Sequence, residues 1–152
     1  MAVERETPYS VFNFWVELEP GQGKSVQAGF SEVSGLNAEV TMAEYRAGNL
    51  PVNHVIKVPG IHKAGDVTLK RGVIGAQNLW SWLDQVRNGE VGAAKRDIVV
   101  KLLNEDRTEE VVSWKLRGAM PMKWTGPSLT GKGGNDVAIE ELVLAVETIE
   151  QE

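Results

Sequence analysis

No cysteine occurs in the 152 residues. Disulfides, thiolate nucleophiles and cysteine-based metal sites are excluded together, so the chain has to hold itself by packing. Histidine is nearly as scarce. His54 and His62 are the only two, and neither stands in a His-Glu-x-x-His pattern or has a carboxylate at ligand spacing. A metal centre needs three or four converging ligands, so two surface loop histidines are the simpler reading. Basic runs do not exceed the pairs Lys70-Arg71 and Lys95-Arg96, and the formal net charge is −5. General nucleic-acid binding and an anionic membrane surface both need clustered Lys and Arg, and both are poor partners for such a chain. No apolar run approaches the length of a membrane span. The opening Met-Ala-Val-Glu-Arg-Glu is polar, so neither a secretory signal nor a membrane anchor is expected.

Catalytic constellations are missing in the same way. There is no Gly-x-Ser-x-Gly elbow, and without cysteine no Cys-His pair can form. Two stretches imitate a phosphate loop. Gly126-Pro127-Ser128-Leu129-Thr130-Gly131-Lys132-Gly133 has the right glycine and lysine spacing, but Gly133 stands where the magnesium-holding Ser or Thr belongs. It also runs into a strand pattern, so no helix N-terminus would face a phosphate. Gly23-Lys24-Ser25 has Leu18 in place of the motif's first glycine. Flexible turns account for both. The adjacent pairs Glu109-Glu110 and Glu140-Glu141 point to opposite faces of any strand, so neither forms a glycosidase dyad, and both read as surface charge. No enzyme, cofactor or metal is expected.

What the sequence does hold is β pattern. One domain over residues 1–152 is expected, and its 42% hydrophobic fraction is enough for a core without staples. Residues 11–18 put Phe12, Phe14, Val16 and Leu18 on one face. A turn at 20–23 follows, and residues 26–30 read as the returning strand. Residues 39–45 read as a poorly alternating strand. Residues 46–64 read as a long excursion, punctuated by Gly48, Pro51, Pro59 and Gly60, with no continuous central strand. Residues 66–70 alternate cleanly. Residues 97–103 turn Ile98, Val100 and Leu102 inward, and residues 110–117 do the same with Val112, Trp114 and Leu116. Residues 104–108 make the polar turn between them. The last run, 137–147, loses its apolar phase at Glu140-Glu141, which predicts a bulge.

One helix is predicted over 76–87. Leu79, Trp82, Leu83 and Val86 recur at helical spacing, and Asn88-Gly89 stops it. Trp80 and Trp82 cannot share a face at that spacing. Trp82 fits the buried stripe, and Trp80 is left outside as an interface anchor or under a wrapping sheet. The expected fold is mainly β (α+β), an antiparallel β-barrel or sandwich with one flanking helix. Several strands are apolar on both faces: Val99 and Leu103 oppose Ile98, Val100 and Leu102, and Val143 and Ala145 oppose Leu142, Leu144 and Val146. A chain with one helix cannot cover both faces, so a partner subunit is expected.

The order of motifs is also familiar. Phe30-Ser31-Glu32-Val33-Ser34-Gly35-Leu36 comes first, then Glu44-Tyr45-Arg46-Ala47-Gly48-Asn49 and Val58-Pro59-Gly60. Val67-Thr68-Leu69-Lys70-Arg71-Gly72, Leu79-Trp80-Ser81-Trp82, Gly126-Pro127-Ser128-Leu129 and Glu140-Glu141-Leu142-Val143-Leu144 complete the series. In this order the chain resembles the tail tube proteins of contractile bacteriophages and of related extracellular injection systems.

The resemblance implies a hexameric ring whose sheets join around a lumen. Rings stack into a tube inside a contractile sheath, between a baseplate with its spike and a tube terminator. Effectors or DNA pass through the lumen. Such a protein is assembled in the cytoplasm and ends in a virion or a released injection particle. The excursion then becomes the ring-stacking segment, residues 46–58, with Arg46, Asn49, Leu50, Val52, Asn53 and His54 as its contact residues. The polar faces Thr68/Lys70 and Ser113/Lys115/Arg117 are candidates for the lumen. Two alternatives stand beside this: a secreted type VI ring protein carrying effectors, and a monomeric β-barrel binding a small ligand.

Overall fold

The computed structural model describes residues 5–18, 29–74 and 78–152. The expectations for the turn at 20–23, for 23–25 and for a strand beginning at 26 lie outside the described residues. Nine strands and two helices occur among the described ones. The strands are β1 (Phe14–Glu17), β2 (Glu32–Ser34), β3 (Ala38–Tyr45), β4 (Ile56–Ala64), β5 (Val67–Gly72), β6 (Arg96–Leu103), β7 (Glu110–Thr125), β8 (Ile139–Ala145) and β9 (Thr148–Gln151); the helices are α1 (Asn78–Arg87) and α2 (Val91–Ala94). Seven strands form one antiparallel sheet in the order β1-β6-β7-β8-β5-β2, with β9 also on β7, while β3 and β4 form a separate two-stranded ribbon.

The organising element is β7. It runs for 16 residues. Its first part pairs with β6 on one edge and β9 on the other, and its last part pairs with β8. At the change of partner stands Gly118, whose φ of +65° a side chain would resist. The two arms of the sheet turn their inward faces to one core. That core joins Val16, Ile98, Val100 and Leu116 to Val67, Leu69, Leu142 and Leu144. The strand expected over 110–117 continues through Gly118 and Pro121 to Thr125. Pro121 is tolerated because β6 pairs no further than Ala119, so this stretch has β8 alone beside it.

α1 lays Leu79 and Trp82 on the core, and Gly89, at φ +82°, ends it. The Trp82 indole Nε1–H donates to the Ala94 carbonyl at 2.6 Å. That bond fixes α2, a second and very short helix that the apolar periodicity did not reveal. Trp80 is 43% exposed and packs edge-on against Trp124, 5.1 Å between ring centres.

Several expectations change. Phe12 is exposed and β1 begins only at Phe14. Leu103 is buried and Leu102 only half-buried, because the β6–β7 register shifts between them. β8 carries no bulge of its own: Glu140, Leu142 and Leu144 are all buried, in phase, and the shift lies on β7 between Pro121 and Lys123. The apparent phase slip was a carboxylate occupying a core position. Glu140 is therefore not surface charge. It accepts a 2.6 Å bond from Arg71 Nε and a 3.3 Å bond from the Trp124 indole.

Candidate functional site

The region expected to be an excursion is a projecting ribbon. β3 and β4 pair with each other and with no other strand among the described residues. Residues 38–45 and 56–64 are exposed throughout except Val40 and Ala64, which are half-buried at the base. The expectation of no central strand over 46–64 holds, but the irregular part is shorter: β4 starts at Ile56 and includes Pro59 and Gly60. Between Val40 and Met42 the register shifts, so Gly60 and Ile61 oppose Thr41 alone. A bulge on a strand with one partner is where proline and glycine do least harm.

The base of the ribbon is tightly fixed. Gly65 N–H donates to the Asn37 carbonyl at 3.2 Å. Gly35, at φ +86°, lies so close to the Asp66 carbonyl that any side chain there would collide with it. A groove of about 270 Å³ runs between the ribbon base and β9, lined by Val40, His62, Ala64 and Ile149 among others.

Beyond the base the two faces of the ribbon differ. Tyr45 pairs with Ile56 and Ala43 with Val58, so these four share one face. Glu44 pairs with Lys57 and Met42 with Pro59 on the other. Tyr45, Ile56 and Val58 are exposed large side chains, as is Ile61 beside the bulge. A lone two-stranded ribbon is at best marginally stable in water, and among the described residues nothing covers the apolar face of this one.

Arg46, Asn49, Leu50, Val52, Asn53 and His54 all lie in the loop at the ribbon's tip. The Arg46 guanidinium donates to Asn53 Oδ1 at 3.3 Å, and Leu50 N–H donates to the Ala47 carbonyl at 3.1 Å. Leu50 is half-buried, and the other five are exposed. The loop lies where the sequence pattern predicts it, whereas the face behind it, Tyr45, Ile56, Val58 and Ile61, was not among the expected site residues. Its signal was present: Ile56 and Val58 flank Lys57 in strict alternation.

Thr68/Lys70 and Ser113/Lys115/Arg117 lie on the two arms, both on the side of the sheet away from the core. Lys70 and Arg117 have carboxylate partners there, as does Lys101 on β6. Lys70 meets Glu32 at 3.1 Å, Arg117 meets Glu150 at 2.8 Å, and Lys101 meets Glu110 at 2.8 Å and Glu17 at 3.0 Å. The bond to Glu110 raises the Lys101 pKa above its ordinary value, with Glu17 adding to it. Among the described residues no cluster of His, Asp and Glu is placed to hold a metal ion. No helix among them is long and apolar enough to cross a membrane.

The family described as T4-like virus tail tube protein gp19 matches residues 10–150. Among solved structures, the sheath–tube complex of an extracellular contractile injection system, PVC, contains a chain 30% identical with a TM-score of 0.81, covering 97% of this chain and 93% of that one. The tube-terminating cap of the anti-feeding prophage contains one 28% identical with a TM-score of 0.82, covering 100% and 95%. Hcp1 from Flavobacterium johnsoniae shares the fold at 17% identity, with a TM-score of 0.53 over 92% and 94%. No curated protein matches the sequence.

Proposed function

The chain belongs to the T4-like virus tail tube protein family, and from that premise we propose that its hexameric rings stack into the inner tube of a contractile injection particle. It is a tail tube protein of the contractile injection type. The observation that carries the finer reading is the projecting ribbon. A ribbon fixed at its base and apolar on one uncovered face is built to meet another subunit. Its tip, with Arg46, Asn49, Leu50, Val52, Asn53 and His54, is the ring-stacking contact.

The tube works inside a sheath and between a baseplate and a terminator; the likeness to chains of a sheath–tube complex and of a tube cap favours these partners. It acts as a conduit for effectors or DNA and does no chemistry of its own. Assembly takes place in the cytoplasm, and the finished particle is a virion or an extracellular device. The type VI reading is weaker, because the Hcp1 likeness is one of fold alone. Deleting residues 48–53 tests the proposal. The subunit is expected to stay folded and to form rings that no longer stack, seen by negative-stain microscopy beside intact tubes of the parent chain. Normal tubes from the deletion would remove the ring-stacking role, and a parent chain that stays monomeric would remove the tube itself.

A further inference from the structure

Four consecutive strands, β2 to β5, make one contiguous block over residues 32–72. Among the described residues β2 pairs only with β5, and β3 and β4 only with each other. β4 touches β9 without pairing to it. Among those residues the block thus joins the rest of the sheet through a single ladder, β5 on β8. The register of that ladder sets where the ribbon stands on the body.

Apolar pattern does not fix this register. The inward row of β5 is Val67, Leu69 and Arg71, and that of β8 is Glu140, Leu142 and Leu144, continued by Val146. A slip of one residue is forbidden, because it turns the whole core row to the other face. A slip of two keeps the face. It sets Val67 against Val146 and Leu69 against Leu144, again apolar against apolar. What it ruins is the charge. In the native ladder Arg71 stands opposite Glu140, and its Nε–H donates to Glu140 Oε1 at 2.6 Å. From β7, on the other side of β8, the Trp124 indole N–H donates to Glu140 Oε2 at 3.3 Å. The slip sets Arg71 against Leu142 and Glu140 against Val73, so each charge faces an apolar side chain. On the outer face it moves Lys70 from Glu141 to Val143. A slip the other way sets Leu69 against Glu140.

We infer that Arg71 and Glu140 are a register key: the pair positions the 32–72 block, and with it the ribbon, against β8. A buried ion pair adds little net stability over apolar side chains of the same volume. Its use here is to decide between two apolar matches. A two-residue slip would carry the ribbon about 7 Å along β8, away from its place in any assembly. The effect on register belongs to the single subunit. Only its consequence for stacking rests on the tube reading above.

The absence of cysteine makes the register directly readable. Thr68→Cys with Val143→Cys joins positions that are opposite in the native ladder, and Thr68→Cys with Ala145→Cys joins those opposite after the slip. Both pairs are placed in the full unassembled chain, in a glutathione buffer that lets exchange follow the populations. With Arg71 and Glu140 present, linkage through position 145 is expected to stay below about one molecule in a hundred. Arg71→Met with Glu140→Leu is expected to raise it at least about tenfold in a chain that stays folded. Linkage no higher than in the parent overturns the inference. So does a double variant that fails to fold, since the pair would then carry stability and not register. As a second arm, Glu140→Leu with Leu142→Glu moves the carboxylate two residues along, opposite Arg71 in the slipped ladder. It is expected to link mainly through position 145, and linkage still through position 143 counts against the key. In negative stain the apolar double variant is expected to lose regular tubes, and normal tubes beside slipped linkage would remove the positioning of the ribbon. A parent chain that makes no tubes removes the tube reading and leaves the register result standing.

Discussion

Two residues, Gly65 and Asp66, separate β4 from β5, yet the strands live in opposite worlds. β5 buries Val67, Leu69 and even Arg71, whereas β4 leaves Ile56, Val58 and Ile61 in solvent. Apolar content therefore does not decide what is buried here. What decides it is whether a second layer of the same chain lies over the face. β5 has β8 and β2 beside it and the core over it. β4 has one partner strand and no layer above its exposed face among the described residues.

The sharpest test of the buried side is its ion pair. Arg71 is 1% exposed and Glu140 7%. Each removes the other's cost of burial, and the Trp124 indole uses a further lone pair of Glu140. Glu140→Ala leaves the guanidinium in the core and is expected to cost about 3–5 kcal/mol in urea unfolding. The double variant Arg71→Met with Glu140→Leu is expected to recover most of that loss, because two apolar side chains of similar volume fill the space. A double variant no better than the single one would mean that the pair is worth more than its space.

The fold class and the inward strand residues were legible because alternation and helical spacing survive in the core: Val16, Ile98, Val100, Leu116, Leu142, Leu144 and Trp82 lie where the pattern put them. The pair just described was not legible. A glutamate at a core position looks like a lapse of period, and its partner Arg71 lies 69 residues away in sequence. β7's full length was not legible either, since a proline such as Pro121 is tolerated only where one edge of the strand is unpaired. At the candidate site the tip loop was visible through its turn residues. The alternation of Ile56 and Val58 around Lys57 marked the strand behind it, but alternation does not tell which side of a strand is left exposed.

A matched pair of truncations sharpens the contrast between the strands. Leu69→Ala removes a fully buried side chain (0% exposed) and is expected to cost about 2–5 kcal/mol of subunit stability. Ile61→Ala, at 74% exposed, is expected to change the unassembled subunit by no more than about 0.5 kcal/mol. Its effect belongs in assembly, read by sedimentation as a higher concentration needed for tubes. Equal losses in the unassembled state would show that the ribbon folds back onto its own body.

The smallest effect concerns a third region, residues 5–9, which forms no strand and lies outside the core cluster of the described residues. Arg5 grips Glu105 in the β6–β7 turn through two bonds, 2.7 and 3.2 Å, and its guanidinium lies 3.8 Å from the centre of the Tyr9 ring. The hydrogen bond from Arg5 is the main reason the Glu105 carboxyl titrates below its ordinary value. A carboxylate whose pKa is lower folded than unfolded adds stability above its unfolded pKa and loses it as the pH falls through the folded one. The clasp is thus expected to hold at neutral pH and to open below the ordinary carboxylate range, while the core melts unchanged. Amide chemical shifts of residues 5–9 against pH read this directly. About 1 M salt, where screening acts within about 3 Å, should weaken the clasp at neutral pH. A segment that stays docked through both treatments is held by packing around Tyr9 instead of by charge, and belongs with the body after all.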